Sequence, residues 1–461
     1  MSKQSDKTTN GHLLSTITGT ASYYSGIAVK NIRCFGEEPQ RLSLSQESGK
    51  PARWTIVLGN NGIGKTTLLQ ALALIDIKSR DDFYEKYWDL ESGKYLATVA
   101  LENKRNFIRH DIEEAEIGVG VIEGPSIEAS PSEFRHGEYW MIFKQHQTIS
   151  GNSPKAPRPP ICYGYGAGRR LGGSSLVSEE ALYPSMSLFH DEVDLINAEE
   201  WLLRLDYSAS KHAGKFSEHG ERLKQVLGLL KNVLPEVYDI RITSPSQAYS
   251  DPAVEFKTAY GWVALRHLGH GYRTMISWMV DLASRMVKRY PNSADPLAEP
   301  AVVLIDEIDL HLHPKWQRML ISYLTERFPN TQFIATAHSP LIVQAALGMN
   351  ANIAVLRRIG DHVLIENDKK AIDGWRIDQV LTSDLFGLES ARPPSLDEPL
   401  KRRLQLLSKP KLTKKDRLEL DELEKRIGTL PVGETDVQAR KMMALVEETQ
   451  RLLREREEKK K

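Results

Sequence analysis

The run Gly59-Asn60-Asn61-Gly62-Ile63-Gly64-Lys65-Thr66-Thr67 constrains this chain more than any other stretch. It satisfies every fixed position of the phosphate-loop pattern G-x-x-x-x-G-K-[ST]. Before it, Trp54-Thr55-Ile56-Val57-Leu58 is short, apolar and β-branched, as a buried strand should be. After it, Leu68-Leu69-Gln70-Ala71-Leu72-Ala73-Leu74 reads as a buried helix. A chance match in a glycine-rich turn would lack both neighbours. Strand, glycine loop and helix in this order aim the loop's backbone N–H groups and the positive end of the helix dipole at one point, where a triphosphate can sit. Lys65 then reaches the β/γ-phosphates, and the Thr66 hydroxyl is a ligand for Mg²⁺. Gly59, Asn60, Asn61, Gly62, Gly64, Lys65, Thr66 and Thr67 are the candidate nucleotide-binding residues.

A second half of the site lies far downstream. Ala301-Val302-Val303-Leu304-Ile305 is a near-continuous apolar run of the kind that forms a central parallel strand, and it ends in Asp306-Glu307. Asp306 leaves the sheet edge where it can hold a metal-bound water, and Glu307 is placed to orient or deprotonate the attacking water. Two carboxylates after an apolar strand are a weak signal alone. They gain weight from Ile308-Asp309-Leu310-His311-Leu312-His313-Pro314 and from a further strand, Phe333-Ile334-Ala335-Thr336, that runs into Ala337-His338-Ser339-Pro340. A histidine there can bond a γ-phosphate and sense its loss, so His338 joins Glu307 as a candidate catalytic residue. His311, His313 and His338 also have metal-ligand chemistry. The first two, however, would point oppositely along an extended segment.

Composition excludes several partners. At 461 residues, 41% hydrophobic and 26% charged, the chain has enough apolar content for a sizeable core and a wet surface. Formal net charge is zero, so no global basic field advertises nucleic acid, and a DNA contact would need a local patch or a partner. The two cysteines, Cys34 and Cys162, fit no metal spacing and no disulfide framework. The N-terminal residues lead into no apolar leader and no stretch reaches membrane-spanning length, which reads as a cytoplasmic protein without a membrane partner.

Along the chain, structure should begin at Ile27, in an alternating strand through Phe35 that pairs ahead of the phosphate-loop strand. Val119–Gly124 and Tyr139–Phe143 read as strands of a smaller antiparallel sheet. Ser153–Pro160 is a stiff proline-rich loop. Ile161-Cys162-Tyr163-Gly164-Tyr165-Gly166-Ala167-Gly168-Arg169-Arg170 is a short strand and a glycine-rich turn whose arginines either lie near phosphate or form a solvated basic loop. Residues 179–234 are mainly helical, Ile240–Ile242 and Ala253–Phe256 are strands, and Tyr272–Tyr290 has a strong helical period whose methionines fill core. Trp316–Phe328 is a further helix. From Ser395 onward, leucines recur among dense charge, broken by Pro410 and Pro431, as exposed amphipathic helices would be.

Phosphate loop, Leu304-Ile305-Asp306-Glu307, His311-Leu312-His313-Pro314 and Thr336-Ala337-His338-Ser339, in this order, resemble the ABC-type ATPases of the RecF/SMC-like branch over roughly residues 27–390. The resemblance implies an α/β fold: an ABC-ATPase head with a mixed central sheet around the phosphate loop, a small antiparallel sheet, a helical subdomain and a helical C-terminal tail. The expected division is a flexible N-terminus over 1–26, a lobe with the phosphate loop over 27–178, a helical subdomain with the signature over 179–300, the second part of the core over 301–394, and a tail over 395–461. In such proteins two heads dimerise head to tail, with ATP and Mg²⁺ between the phosphate loop of one and the signature motif of the other. The best match to that signature is Leu268-Gly269-His270-Gly271-Tyr272-Arg273. Gly269, His270 and Gly271 are the contacts it implies, and Gly269 stands where the family usually has a serine that bonds the γ-phosphate, which implies slow turnover. Thr66 and Asp306 are the implied metal ligands. Gln145 and Gln147 are weak candidates for the glutamine loop.

A narrower resemblance links Tyr165-Gly166-Ala167-Gly168-Arg169-Arg170, the Gly-His-Gly-Tyr-Arg signature, Trp375–Gly387 and the charged tail to ATPases of bacterial anti-phage operons. Septu-type ATPases, encoded beside an HNH nuclease, come first, and retron and PARIS ATPases follow. It implies a homodimer or higher oligomer that controls a separate nuclease through its C-terminal region, with DNA reached by the complex. A chromosome or repair ATPase is the alternative, although nothing here sustains the heptads of a coiled-coil arm. A transporter subunit should keep the signature serine. Beyond the Val343 region no clustered carboxylates could hold two metals, so the expectation is that this chain is not itself a nuclease.

Overall fold

The computed structural model describes residues 20–84, 108–110, 112–144, 148–169, 184–191, 193–211, 218–234, 236–244, 251–368, 377–383, 385–386, 393–409 and 413–427. Gln145, Gln147, Arg170, Trp375, Gly387, Pro410, Pro431 and the Met442–Leu453 segment lie outside them. In chain order the first elements are β1 (Ala21–Lys30), β2 (Gln40–Ser43), β3 (Trp54–Leu58), α1 (Lys65–Tyr84), β4 (Glu114–Gly124), β5 (Arg135–Lys144), β6 (Thr148–Asn152) and β7 (Cys162–Tyr165). There follow α2 (Ala198–Lys211), α3 (Glu218–Val233), β8 (Asp239–Thr243), β9 (Ala253–Thr258), β10 (Gly261–Ala264) and α4 (His270–Arg289). The rest are β11 (Ala301–Ile305), α5 (Pro314–Arg327), β12 (Thr331–Thr336), α6 (Pro340–Leu347), β13 (Asn352–Ile359), β14 (His362–Asp368), α7 (Ile377–Leu381), α8 (Asp397–Leu407) and α9 (Lys414–Ile427).

The apolar runs form the strands their composition demands. β3, β11 and β12 are buried along their whole length, and a strand buried on both faces has no need of polar alternation. They sit in a six-stranded sheet of order β14-β13-β3-β12-β11-β7, in which every neighbouring pair is parallel except β13 with β14. Successive side chains of a strand point to opposite faces, so the sheet divides the interior into two cores. Trp54, Ile56, Val303, Ile305 and Phe333 face one, which α4 and α5 cover. There the Trp54 and Phe333 rings stack with centroids 4.3 Å apart. Val57, Val302, Leu304 and Ile334 face the other, filled by α1 and closed by a five-stranded antiparallel sheet of order β2-β1-β4-β5-β6. α2 and α3 pack beside a three-stranded sheet, β10-β9-β8, that leads directly into α4.

The fold is α/β: a mostly parallel sheet that carries the phosphate loop, a small antiparallel sheet and a helical subdomain. The first strand departs from the sequence expectation. It starts at Ala21 rather than Ile27 and stops at Lys30 rather than Phe35, because Asn31 and Arg33 take left-handed backbone (φ 55° and 46°) that no strand can continue through. Its partners are β2 and β4 in the antiparallel sheet, not the phosphate-loop strand. One buried amide joins the two sheets: Gln332 on β12 donates to the Tyr24 carbonyl and accepts from the Tyr24 N–H, both at 2.8 Å, acting as a strand edge would.

The chain divides into two compact units, Met1–Gly387 and Leu388–Lys461. Within the second, α8 and α9 run back along each other, with Arg402 donating to Glu419 (2.6 Å) and Lys409 to Asp416 (2.6 Å). Among the described residues, no helix is long and apolar enough to cross a membrane.

Candidate functional site: a phosphate loop facing an acidic strand end

The loop between β3 and α1 needs its glycines for backbone reasons. Gly59, Gly62 and Gly64 have φ of 146°, 74° and 100°, which side chains rarely adopt. At Gly64 space is also missing, since a Cβ there would lie 2.3 Å from the Cys34 Sγ. The loop is therefore wrapped tightly over Cys34 and open on the outside, where Asn60, Asn61 and Gly62 are exposed. Lys65 folds back across it, its ammonium donating to the Gly59 and Asn60 carbonyls at 2.8 and 3.0 Å. Burial pulls that ammonium below its ordinary pKa, while Asp306, Glu307 and Asp309 act in the opposite sense. Thr67 is buried and accepts from Arg33 at 3.3 Å.

Sheet register brings the acidic pair to this loop. β11 lies one strand from β3, with β12 between them, and all three run parallel, so their C-terminal ends share one edge. Asp306 is buried and accepts from Thr66 Oγ1 at 2.7 Å through one carboxylate oxygen and from Thr336 Oγ1 at 2.6 Å through the other. Glu307 takes a left-handed backbone, φ 48°, and its N–H donates to Thr336 Oγ1 at 2.7 Å. Thr66 and Asp306 are hard oxygen donors converging on one place beside the loop's amides, the donor set a Mg²⁺ ion prefers. The cradle of glycines and the donor set both fit a magnesium–nucleotide complex.

The remaining candidates form a second group. Gly269 and His270, at the start of α4, are exposed. The His270 ring meets the His311 ring edge-on at 4.6 Å, and Tyr272 meets Trp316 likewise at 4.3 Å. Gly271 sits so close to the His311 carbonyl that a Cβ would approach it to 2.4 Å. His338 is exposed, and its backbone N–H donates to Asp309 at 3.0 Å. Among the described residues, no group of three or more His, Cys, Asp or Glu side chains is arranged to hold a metal ion, so His311, His313 and His338 do not form the metal site their chemistry allowed.

Sequence reasoning missed Arg33 and left Arg169 open between phosphate and solvent. Arg33 donates to Gln70 at 2.9 Å as well as to Thr67, and only its left-handed turn after β1 brings it there. Arg169 is not on a solvated loop: it is buried, and it donates to the backbone carbonyls of Asp306 and Glu307. The signal for it was the glycine-rich turn directly after an apolar strand.

A phosphate loop on a parallel sheet, facing an acid-tipped strand, defines a nucleotide-binding ATPase-type domain. The chain belongs to the family described as "AAA domain, putative AbiEii toxin, Type IV TA system", whose model matches residues 55–344. It is 27% identical to the "Septu protein PtuA" of Bacillus mycoides (strain KBAB4) over 416 residues, 89% of this chain and 51% of that protein. It is 46% identical to the "Retron Vc95 probable ATPase" of Vibrio cholerae serotype O1 biovar El Tor over 81 residues, 18% of this chain and 16% of that protein. The chain thus spans about half the length, or less, of these curated relatives. Among solved structures, an SMC head bound to the C-winged helix domain of ScpA aligns with a TM-score of 0.45 at 14% identity, over 75% of this chain and 97% of that one.

Proposed function

We propose that this chain binds ATP with Mg²⁺ and hydrolyses it slowly, as the nucleotide-handling subunit of an anti-phage defence assembly. The observation that carries the reading is the chain of contacts from Thr66 through Asp306 to Thr336, with Lys65 poised over the same loop. Lys65 exchanges its two carbonyl partners for phosphate oxygens, so that the ammonium meets full negative charge in place of carbonyl dipoles. Thr66 and Asp306 would hold the Mg²⁺ ion, which neutralises developing charge on the phosphates. Glu307 orients the attacking water or takes its proton, and His338 bonds the γ-phosphate. The signature turn Gly269-His270-Gly271, with Gly269 and His270 exposed at the start of α4, meets the nucleotide held by a second copy, so that ATP closes a head-to-tail dimer.

The names of the relatives support the defence role: one is a Septu protein and one a retron ATPase. In this reading the chain controls a separate nuclease, of HNH type, docked through the C-terminal region, and DNA is reached by the complex. The exposed Leu407 and Leu418 on α8 and α9 offer apolar surface for such docking.

Equilibrium binding of labelled ATP to the wild type and to Lys65→Ala tests the site. Loss of one charged bond is worth about 1.5–3 kcal/mol, which is a weakening of about 10- to 100-fold. Unchanged affinity would sink the assignment.

A further inference from the structure

Of the two candidate catalytic residues, Glu307 and His338, only Glu307 has a left-handed backbone, φ 48°, and the structure accounts for what holds it. A non-glycine residue in the left-handed region costs about 1–3 kcal/mol and persists only where its surroundings impose it. On the N-terminal side, the Glu307 N–H is fixed by Thr336 Oγ1, which is itself fixed by Asp306. On the C-terminal side, the Glu307 carbonyl accepts from Arg169 Nη2 at 2.6 Å, and the same nitrogen reaches the Asp306 carbonyl at 3.0 Å. Both peptide groups of Glu307 are therefore clamped: the carbonyl also accepts from the Leu310 N–H at 3.1 Å, and Arg169 is the side chain that holds it.

Arg169 is brought there by topology. β7 pairs in parallel with β11, Tyr165 opposite Ile305, so the turn leaving β7 emerges at the sheet edge from which Asp306 and Glu307 emerge. Gly166 makes the turn possible, because a Cβ there would strike the Ser187 carbonyl at 2.1 Å. The turn's other end is anchored too: the Tyr165 hydroxyl donates to Asp281 on α4 at 3.0 Å, and Arg285 holds that carboxylate at 2.6 Å. Arg169 is 6% exposed, and its Nε has no hydrogen-bond partner among the described residues. Burying a guanidinium around main-chain carbonyls is expensive unless it serves something. Burial lowers its pKa to about 10, with Asp306, Glu307 and Asp309 opposing the fall, so it stays charged at neutral pH.

We infer that Arg169 is the positioning residue for Glu307: through the Asp306 and Glu307 carbonyls it imposes the left-handed turn that aims the Glu307 carboxylate at the attacking water. The inference rests on the ATPase reading above. Without Arg169 the turn relaxes and the carboxylate swings away, while the phosphate loop, Thr66 and Asp306 stay in place. The effect therefore falls on kcat and not on nucleotide affinity.

The test measures Mg²⁺-dependent phosphate release and labelled-ATP affinity for the full chain as wild type, Arg169→Gln, Arg169→Lys, Glu307→Gln and the Arg169→Gln/Glu307→Gln double variant. A misplacement of the order of 1 Å costs about 10²-fold in rate, so Arg169→Gln is expected to lose that much in kcat. ATP affinity should stay within about twofold, a shift of under 1 kcal/mol. Arg169→Lys should recover part of the rate, and it serves as the readable variant if the glutamine form does not fold. Because Arg169 acts only through Glu307, the double variant should be no slower than Glu307→Gln alone. Weakened affinity with kcat intact would make Arg169 a phosphate ligand, and further slowing in the double variant would make its role merely structural. Either result overturns the inference, as does a hydrolysing wild type matched by Arg169→Gln. A wild type that binds ATP without hydrolysing it removes the ATPase reading, and the inference falls with it.

Discussion

Gly269 and Gly271 stand two residues apart and tolerate a side chain very differently. At Gly269 the backbone is ordinary, and an added Cβ would meet nothing nearer than the Tyr272 ring at 4.0 Å. A serine fits there, and as an N-cap for α4 it is at least as good as glycine. At Gly271 the His311 carbonyl occupies the space. Gly269→Ser should therefore fold normally and, by restoring a hydroxyl donor toward the γ-phosphate of a partnering copy, raise phosphate release above a wild-type rate expected to lie below the ~10 s⁻¹ typical of enzymes. Gly271→Ala should push α4 off His311 and lose activity. Parallel turnover assays check both, and a wild type at or above that typical rate, or a serine variant no faster than wild type, would remove the weakened-signature argument. At this same scale the sequence singled out the loop, Asp306 and Glu307 as candidates by pattern. It left Arg169 open between phosphate and solvent and gave Thr336 no role of its own, because their contacts are made across 29 residues or more of chain.

At the scale of elements, α9 shows how local chemistry makes a helix that intrinsic packing would leave marginal. Thr413 and Asp416 form a capping box: the Thr413 N–H donates to Asp416 at 2.9 Å, and the Asp416 N–H donates to the Thr413 hydroxyl at 3.2 Å. Lys409 from the end of α8 donates to the same carboxylate, and these bonds hold its pKa well below the usual carboxylate range. A depressed folded pKa means the stabilisation is complete above the unfolded value of about 3.9 and is lost as pH falls below it toward the folded pKa. Hydrogen exchange over 414–427 in the full chain, corrected for intrinsic rates, should lose protection as pH drops from 5 to 2. Asp416→Asn should start with less protection and fall less steeply, and identical pH profiles would refute the assignment. Periodicity read the elements of this molecule well: α4, α5, β4, β5, β8 and β9 form where apolar spacing put them. β1 was misread because its partner is chosen by the tertiary fold and its end by two left-handed residues.

For the whole molecule, the proposed cycle makes mass the informative quantity. Glu307→Gln should hold ATP without cleaving it, so its mass in solution should double on adding ATP and Mg²⁺, while Lys65→Ala stays at its nucleotide-free mass. Truncation after Pro394 should leave ATP binding intact and abolish co-purification with the product of the neighbouring gene. Light scattering and affinity capture measure these outcomes, and a truncated chain that still captures its partner would show the tail to be no docking element.

What the sequence determined by itself was local or periodic. The phosphate loop is set by glycines adjacent in the chain, the buried strands by β-branched runs and the helices by 3.6-residue spacing, all of which are written in neighbouring residues. Tertiary structure alone decided which strand edges coincide. That alignment put the Thr66 hydroxyl on the Asp306 carboxylate, Thr336 and Arg169 on either side of Glu307, and the start of α4 against His311. No spacing encodes such contacts, because each follows from the parallel register of β7, β11, β12 and β3, and register is fixed by the packing of two whole cores against one sheet.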